Sequence, residues 1–321
     1  MEPTVLSRIE KEISSLPWGE QPPSLYNPIR YIMALGGKRM RPLLTAMSYS
    51  LYRNDVEKII PYAAAVEAFH NFTLMHDDIM DKAPLRRGKK TVHEKWNVNT
   101  AILSGDVMLV KVYDLFLSLP SDTLKDVLTI FNRTAAEVCE GQQWDMEFES
   151  KSKVTEAQYL DMIRLKTAVL LGFSLELGAL VAGASSADRK ALYDFGVNIG
   201  IGFQLKDDLL DVYGDKKKFG KQVGGDIIAN KKTFLLIKAL ELAKGKDKIE
   251  LKRWLLAKKF RADSKVKAVT QIYDRAGIAS FTEQKINEFF ERGFQCLESL
   301  SDPSKVQTLI AFARDIAARQ K

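Results

Sequence analysis

Leu160-Asp161-Met162-Ile163-Arg164-Leu165-Lys166-Thr167-Ala168-Val169-Leu170-Leu171 places Met162, Leu165 and Val169 at three- and four-residue spacing. That is the period of a helix with one buried stripe. The same period returns at Leu251, Trp254 and Leu255, and no proline occurs between Pro120 and Pro303. Alternating β-branched runs bounded by turn residues are missing, so the class is all-α. Breaks are expected at 84–90, 118–122, 149–154, 183–188, 214–230 and 244–247, with a Pro/Gly-rich connector over 17–28. They imply a single-domain bundle, residues 1–321, of about ten or more mostly antiparallel helices.

At 321 residues and 46% hydrophobic, the chain can bury a core without disulfides or structural metal. Cys139 and Cys296 have no paired spacing. The N-terminus lacks a basic region followed by an apolar one, so a reduced, cytoplasmic location is expected. The longest apolar stretch, 168–184, is interrupted by Ser174 and Glu176 and reads as a buried helix, not a transmembrane segment. A net charge of +7 arises from 48 basic and 41 acidic residues that are largely interleaved. No motif for reading nucleic acid accompanies it, and the lysine-rich stretch 244–267 reads as a solvated helix face.

Two acidic pentapeptides carry the chemistry: Asp77-Asp78-Ile79-Met80-Asp81 and Asp207-Asp208-Leu209-Leu210-Asp211. Positions i, i+1 and i+4 share an arc about a quarter-turn wide on a helix. Like charges there repel by a few tenths of a kcal/mol per pair, roughly, so the pattern has no structural benefit. Two such clusters facing each other would form an oxygen cage for a hard divalent ion that also holds phosphate.

Basic segments surround them. Leu85-Arg86-Arg87-Gly88-Lys89-Lys90 follows the first cluster, and Gly36-Gly37-Lys38-Arg39-Met40-Arg41-Pro42 sits at a helix junction. Either is a plain surface turn or a diphosphate clamp, with Arg supplying its planar donor fork. Lys166-Thr167 interrupts an apolar helix, so Lys166 either meets an anion or snorkels to solvent. Gln204 lies one turn before Asp208, either on a solvated face or presenting a neutral amide to a carbocation. The loop containing Lys221, Gly224, Gly225, Asp226 and Lys231 is too long for a mere connector and suits a phosphate lid.

This ordered set, from about Tyr31 to Leu236, resembles the trans-type isoprenyl diphosphate synthases of the polyprenyl synthetase family. The resemblance rests on residues 36–42, His70, the aspartates at 77, 78 and 81, and Arg86-Arg87-Gly88. It continues through Gly105-Asp106, Gly141-Gln142 with Asp145, Lys166-Thr167, Phe203-Gln204, the aspartates at 207, 208 and 211, Gly220-Lys221, Asp226 and 231–233. It implies the isoprenoid synthase fold around a deep central cavity, a homodimer, and condensation of isopentenyl diphosphate with an allylic diphosphate. By the same resemblance Asp77, Asp81 and Asp207 are the main ligands of about three Mg²⁺ ions, supported by Asp78, Asp208 and Asp211. Arg86, Lys166 and Lys231, with Lys221, hold the allylic diphosphate; Lys38, Arg41, His70 and Arg87 hold isopentenyl diphosphate. Lys166, Thr167 and Gln204 face the developing cation. Leu235 stands where many relatives have proline, and Lys206 where many have a neutral residue.

Phe72, five residues before Asp77, reads as a large cavity floor, and Thr73 beside it as small. With no insertion inside 77–81, the pattern resembles synthases of geranylgeranyl (C20) diphosphate, with farnesyl (C15) diphosphate the alternative. A metal phosphohydrolase built on His76-Asp77 would find only His70 and His93 as further histidines and leaves the second cluster unexplained. A terpene cyclase usually mixes Asn, Ser or Thr with Glu in its second motif. A catalytically silent subunit typically lacks some of the ligands, and all are present here.

Overall fold

The computed structural model describes residues 2–214 and 224–318, and helices take up most of them. In chain order they are α1 (Glu2–Ser15), α2 (Pro23–Ala34), α3 (Met40–Ser50), α4 (Ile60–Met80), α5 (Val92–Lys95) and α6 (Val98–Phe116). Then follow α7 (Ser121–Ser150), α8 (Glu156–Ile163), α9 (Val169–Val181), α10 (Ser186–Tyr213) and α11 (Gly225–Ala229). The chain continues with α12 (Phe234–Leu242), α13 (Gly245–Leu256), α14 (Ala262–Arg275), α15 (Ile278–Glu298) and α16 (Gln307–Ala317). The all-α class holds, and the expected breaks at 84–90, 118–122, 149–154, 183–188 and 244–247 coincide with helix ends; of the break at 214–230, residues 215–223 lie outside the described residues and 225–229 form α11. Among the described residues, no helix is long and apolar enough to cross a membrane.

Local differences have local causes. The Pro/Gly-rich connector is shorter than its composition suggests: α2 begins at Pro23 and runs through a buried Pro28. Pro23 has the fixed φ that suits a first helical position, and burial of Ile29, Ile32 and Met33 offsets the amide lost at Pro28. The basic turn after α4 is a small antiparallel hairpin, β1 (Leu85–Arg86) with β2 (Lys89–Lys90). Arg87 and Gly88 both have positive φ (52° and 74°), the backbone twist that two-residue hairpin loops favour. Leu235 is fully buried in the first turn of α12, which starts at Phe234 without any proline.

Contacts gather the chain into two compact units. One comprises residues 1–134, 173–193 and 300–309; the other comprises 135–172, 194–299 and 310–321. In the first, α4 packs against α6, α3 and α1 and is buried on most sides along its N-terminal half. Phe131 is ringed by Phe69, Tyr113, Phe116 and Phe173 at centroid distances of 5.0, 5.2, 5.3 and 5.8 Å. Edge-on and tilted packing of this kind suits aromatic quadrupoles. In the second, α12 packs on α15 and α8, and α14 contacts α11, α13 and α15. Gly200 lies where a Cβ would come within 2.7 Å of Ala168, so these helices approach backbone to backbone.

Arg39 shows how the first unit is locked. It has a φ of +49°, is only 4% exposed, and donates to Glu67 at 2.7 Å and to Glu10 at 2.9 Å. It also reaches the carbonyl of Met33. Glu67 is itself buried, so removing the guanidinium leaves a carboxylate without its counter-ion. Breaking a buried pair in this way costs about 3–5 kcal/mol. Arg39→Met is therefore expected to lower unfolding free energy by about that amount, read from the urea midpoint at constant slope.

Candidate functional site

The C-terminal turns of α4 carry the first aspartate cluster. Asp77 is half-buried and Asp81 exposed, while Asp78 is 2% exposed. Both oxygens of Asp78 accept from Arg86, from Nε and Nη2, each at 2.8 Å. The hairpin thus returns its arginine to the helix as a bidentate fork, the strong geometry for a carboxylate. Asp78 is thereby committed to aiming Arg86, and Asp77 and Asp81, one turn apart, keep the open face of the helix. His76 points elsewhere: its Nε2 lies 3.2 Å from the carbonyl of Ile102, in a notch made by Gly105.

One turn and more toward the N-terminus, the same stripe of α4 carries Thr73 and His70. His70 Nε2 lies 3.2 Å from Nη1 of Arg41. Desolvation and the charges of Arg41, Arg86, Arg87 and Arg39 hold the imidazole well below its ordinary pKa. Burial also pushes Arg41 down to about 10, with Arg87 adding to the effect and Glu67 opposing it. At neutral pH this is a cationic pocket with a neutral imidazole. The buried Nε of Arg41 has no hydrogen-bond partner. Such a group costs free energy until an acceptor arrives. Arg87 donates to the carbonyl of Gly36, which ties the hairpin to the 36–42 segment. Lys38, in that segment, belongs to the same unit. Arg39 is not available as a third phosphate-binding cation, since Glu10, Glu67 and the Met33 carbonyl occupy it.

In the second unit, a cleft with roughly 640 Å³ of empty space, open to solvent, is lined by Asp145, Tyr159, Lys166, Thr167, Gln204 and Asp208. Asp226, Lys231, Lys232 and Thr233 complete its polar wall. The helix carrying Lys166 does not run straight through the site: residues Arg164–Ala168 form a π-turn between α8 and α9. Single π-turns widen the backbone ladder and recur at functional sites. The turn is braced by Gly141 of α7, where a Cβ would sit 2.2 Å from the Lys166 amide nitrogen. Lys166 Nζ bonds Asp145 at 2.6 Å, so this lysine faces the cleft with an anion beside it and does not snorkel.

Asp208, 6% exposed, is neutralised differently from Asp78. Tyr159 donates its hydroxyl to one oxygen, and Gln204 Nε2 donates to the other at 3.0 Å. Thr167 Oγ1 in turn donates to Gln204 Oε1 at 3.3 Å. Burial first, and the nearby Asp226 and Asp207, raise the Asp208 carboxyl well above its ordinary value, against the two donors. Burial and Asp208 likewise raise the Tyr159 hydroxyl, which stays protonated and able to donate. Asp207 and Asp211 are half-buried. Asp211 accepts from the amide of Asp226 at 3.0 Å, and its carbonyl accepts from Gly224 at 2.6 Å. Lys231 is placed by a backbone bond to Asp226 at 2.9 Å.

Oxygen-only donors at i and i+4 fit a hard cation. Among the described residues, no three acidic, histidine or cysteine side chains converge on one point to hold a metal unaided. That donor set suits Mg²⁺, which typically takes one or two carboxylates and completes its octahedron with phosphate and water.

Within the first unit the structure brings together Arg41, His70, Arg86, Arg87, Asp77, Asp78 and Asp81. Within the second it brings together Lys166, Thr167, Gln204, Asp208 and Lys231. Lys221 lies outside the described residues. Sequence reasoning singled out no role for Tyr159, though it shares a stripe with Met162, Ile163 and Lys166 at i, i+3, i+4 and i+7. That spacing was the available signal. The π-turn has no comparable signature.

The polyprenyl synthetase profile matches residues 22–273. The chain is 42% identical over 270 residues to a short chain isoprenyl diphosphate synthase of Methanocaldococcus jannaschii, covering 84% of this chain and 81% of that one. It is 36% identical over 308 residues to a geranylgeranyl pyrophosphate synthase of Geoglobus acetivorans, covering 95% and 94%. A crystal structure of a geranylgeranyl pyrophosphate synthase matches with a TM-score of 0.92 at 42% identity, covering 99% of this chain and 98% of that one. The site and the fold are those of a prenyltransferase. The chain belongs to the polyprenyl synthetase family.

The arginines around His70 make a direct prediction. In the ligand-free protein its imidazole stays neutral well below the ordinary histidine range. Inorganic pyrophosphate would neutralise those charges and raise the pKa, so binding takes up a proton. Histidine NMR should record the upward shift on adding pyrophosphate without metal, and Arg41→Gln should weaken that binding about tenfold or more.

Proposed function

We propose that this chain, acting as one catalytic unit over residues 1–321, makes geranylgeranyl diphosphate. It condenses isopentenyl diphosphate with dimethylallyl, geranyl and farnesyl diphosphates in turn. The observation that carries the reading is the convergence of Lys166, Thr167, Gln204, Asp208 and Lys231 on one cleft, with the π-turn offering its loosened backbone beside them.

In this reading Arg86, Lys166, Lys231 and the lid lysine Lys221 hold the allylic diphosphate, and Lys38, Arg41, His70 and Arg87 hold isopentenyl diphosphate. Asp77, Asp81, Asp207 and Asp211 would hold Mg²⁺. When bound, the metal supplies Lewis-acid stabilisation of charge on the departing diphosphate. Asp78 keeps Arg86 aimed at that charge. Gln204, its amide fixed between Thr167 and Asp208, presents a dipole toward the allylic carbon without offering a strong nucleophile. The proton lost after C–C bond formation goes to released pyrophosphate, since His70 stays among arginines and His76 is turned to the Ile102 carbonyl.

Chain length follows from α4. Phe72 is 9% exposed and packs against Phe69 at 5.7 Å and edge-on to His76 at 4.8 Å, a braced floor. Thr73 is small and turns its hydroxyl back to the His70 carbonyl at 2.8 Å. The homodimer has support in α6, where Ile102, Leu103 and Val110 are exposed apolar residues, with exposed Leu117 just beyond the helix end. A reducing, cytoplasmic setting accords with Cys139 and Cys296 both being thiols.

Product analysis by chromatography, with Mg²⁺, labelled isopentenyl diphosphate and each allylic primer, is expected to give C20 with farnesyl diphosphate accepted. Termination at C15 with farnesyl refused would assign the farnesyl alternative. No condensation from any primer would make the chain a silent subunit. Phe72→Ala is expected to lengthen the products; an unchanged distribution places the floor elsewhere.

A further inference from the structure

The stretch 244–267 holds ten lysines and arginines against three acidic residues, a balance of +7 equal to the formal charge of the whole chain. The rest of the protein is therefore neutral in sum, and its basicity is concentrated on α13 and the turn into α14. Sequence alone read this as a solvated helix face, and such a face should be polar. It is not. Ile249 and Leu256 are 71% and 80% exposed, the two most exposed large apolar side chains among the described residues. They are two helical turns apart on one side of α13, with exposed Lys252 and Arg253 between them. Exposed Phe260 follows beside Lys258, Lys259 and Arg261. The opposite side of α13 is committed to the core through Leu251, which is fully buried.

The charges on this face are not spent internally. Arg253 reaches Glu250 at 3.5 Å, but Lys252, Lys258, Lys259 and Arg261 make no ion pair with any described residue. Lys265, by contrast, turns inward and bonds Asn230 Oδ1 at 2.7 Å and the Ile228 carbonyl at 3.1 Å. Asn230 also donates to the Leu255 carbonyl at 3.1 Å, so α13 is fastened to the segment that carries Asp226 and Lys231. Protruding aliphatic side chains beside unpaired cations, with Phe260 partly covered by the Lys265 ammonium 4.3 Å from its ring, match an anionic lipid surface, where the apolar groups enter the headgroup boundary and the cations meet phosphate. A nucleic acid would satisfy the cations and leave Ile249 and Leu256 in water.

We propose that the face formed by Ile249, Lys252, Leu256, Lys259 and Phe260 docks the enzyme on anionic membrane surfaces. The docking is peripheral and reversible, and it holds whatever product length the active site sets. Salt weakens the cationic half of the contact and leaves the apolar half.

The test is flotation of the purified full chain with vesicles of phosphatidylcholine alone or with phosphatidylglycerol added, at low and high salt. Binding to the anionic vesicles only, weakened by salt, is expected. Lys252→Glu with Lys259→Glu should reduce the partition about tenfold or more, and Ile249→Ser with Leu256→Ser should reduce it similarly. Both variants should keep the wild-type condensation rate on dissolved substrates, which shows them folded. Absence of binding to anionic vesicles at low salt overturns the proposal, as does binding that either double variant leaves unchanged. Retention on duplex DNA with no vesicle binding also overturns it and assigns the face to nucleic acid.

Discussion

Three carboxylates within five residues of one helix repel one another, and half-burial strengthens that repulsion. The site depends on how this is relieved. In each cluster the middle aspartate is buried and held by protein donors, while the outer ones are half-buried or exposed, and the proposed function gives the outer ones to cations. The two clusters use different partners. Asp78 is matched by a full charge, the guanidinium of Arg86, in a bidentate pair. Asp208 is matched by neutral donors, Tyr159 and Gln204, and its carboxyl is driven toward the protonated form by burial and Asp226. One cluster therefore orients a cation, and the other orients an amide.

Most of the helical frame was legible because its signals are local. Apolar spacing, the absence of proline and the glycine breaks each act within a turn or two, and the helix ends fell where those signals lay. Pro28 misled because its cost is small beside the burial of Ile29, Ile32 and Met33, which is a tertiary quantity. The residue types gathered at the candidate site were legible too, since carboxylates, arginines and lysines in that order have little structural use. Their division of labour was not. Arg39 and Arg41 are two residues apart and look equivalent in sequence. Only the positive φ at Arg39 and the buried Glu67 assign one to the core and leave the other for an anion. Lys166 was ambiguous for the same reason, until Asp145 from α7 supplied its partner.

Close backbone approach is the second device that orders the residues around the candidate site. Gly141 lets α7 lie against the π-turn at Lys166, and Gly105 admits the ring of His76. Each removes a side chain: at Gly141 so that the backbone at Lys166 can be held by packing, at Gly105 so that His76 is turned to the Ile102 carbonyl. The surface follows another logic, since no active-site demand places Ile249 and Leu256 in water.

The central claim is that outer and middle aspartates have different jobs, and the Mg²⁺ dependence of the condensation rate separates them. Asp77→Asn and Asp207→Asn should raise the half-saturating Mg²⁺ concentration about tenfold or more. Asp78→Asn and Asp208→Asn should lower turnover while leaving that concentration near the wild-type value. A shift of Mg²⁺ dependence in the Asp78 or Asp208 variant as large as in the Asp77 variant would contradict the account.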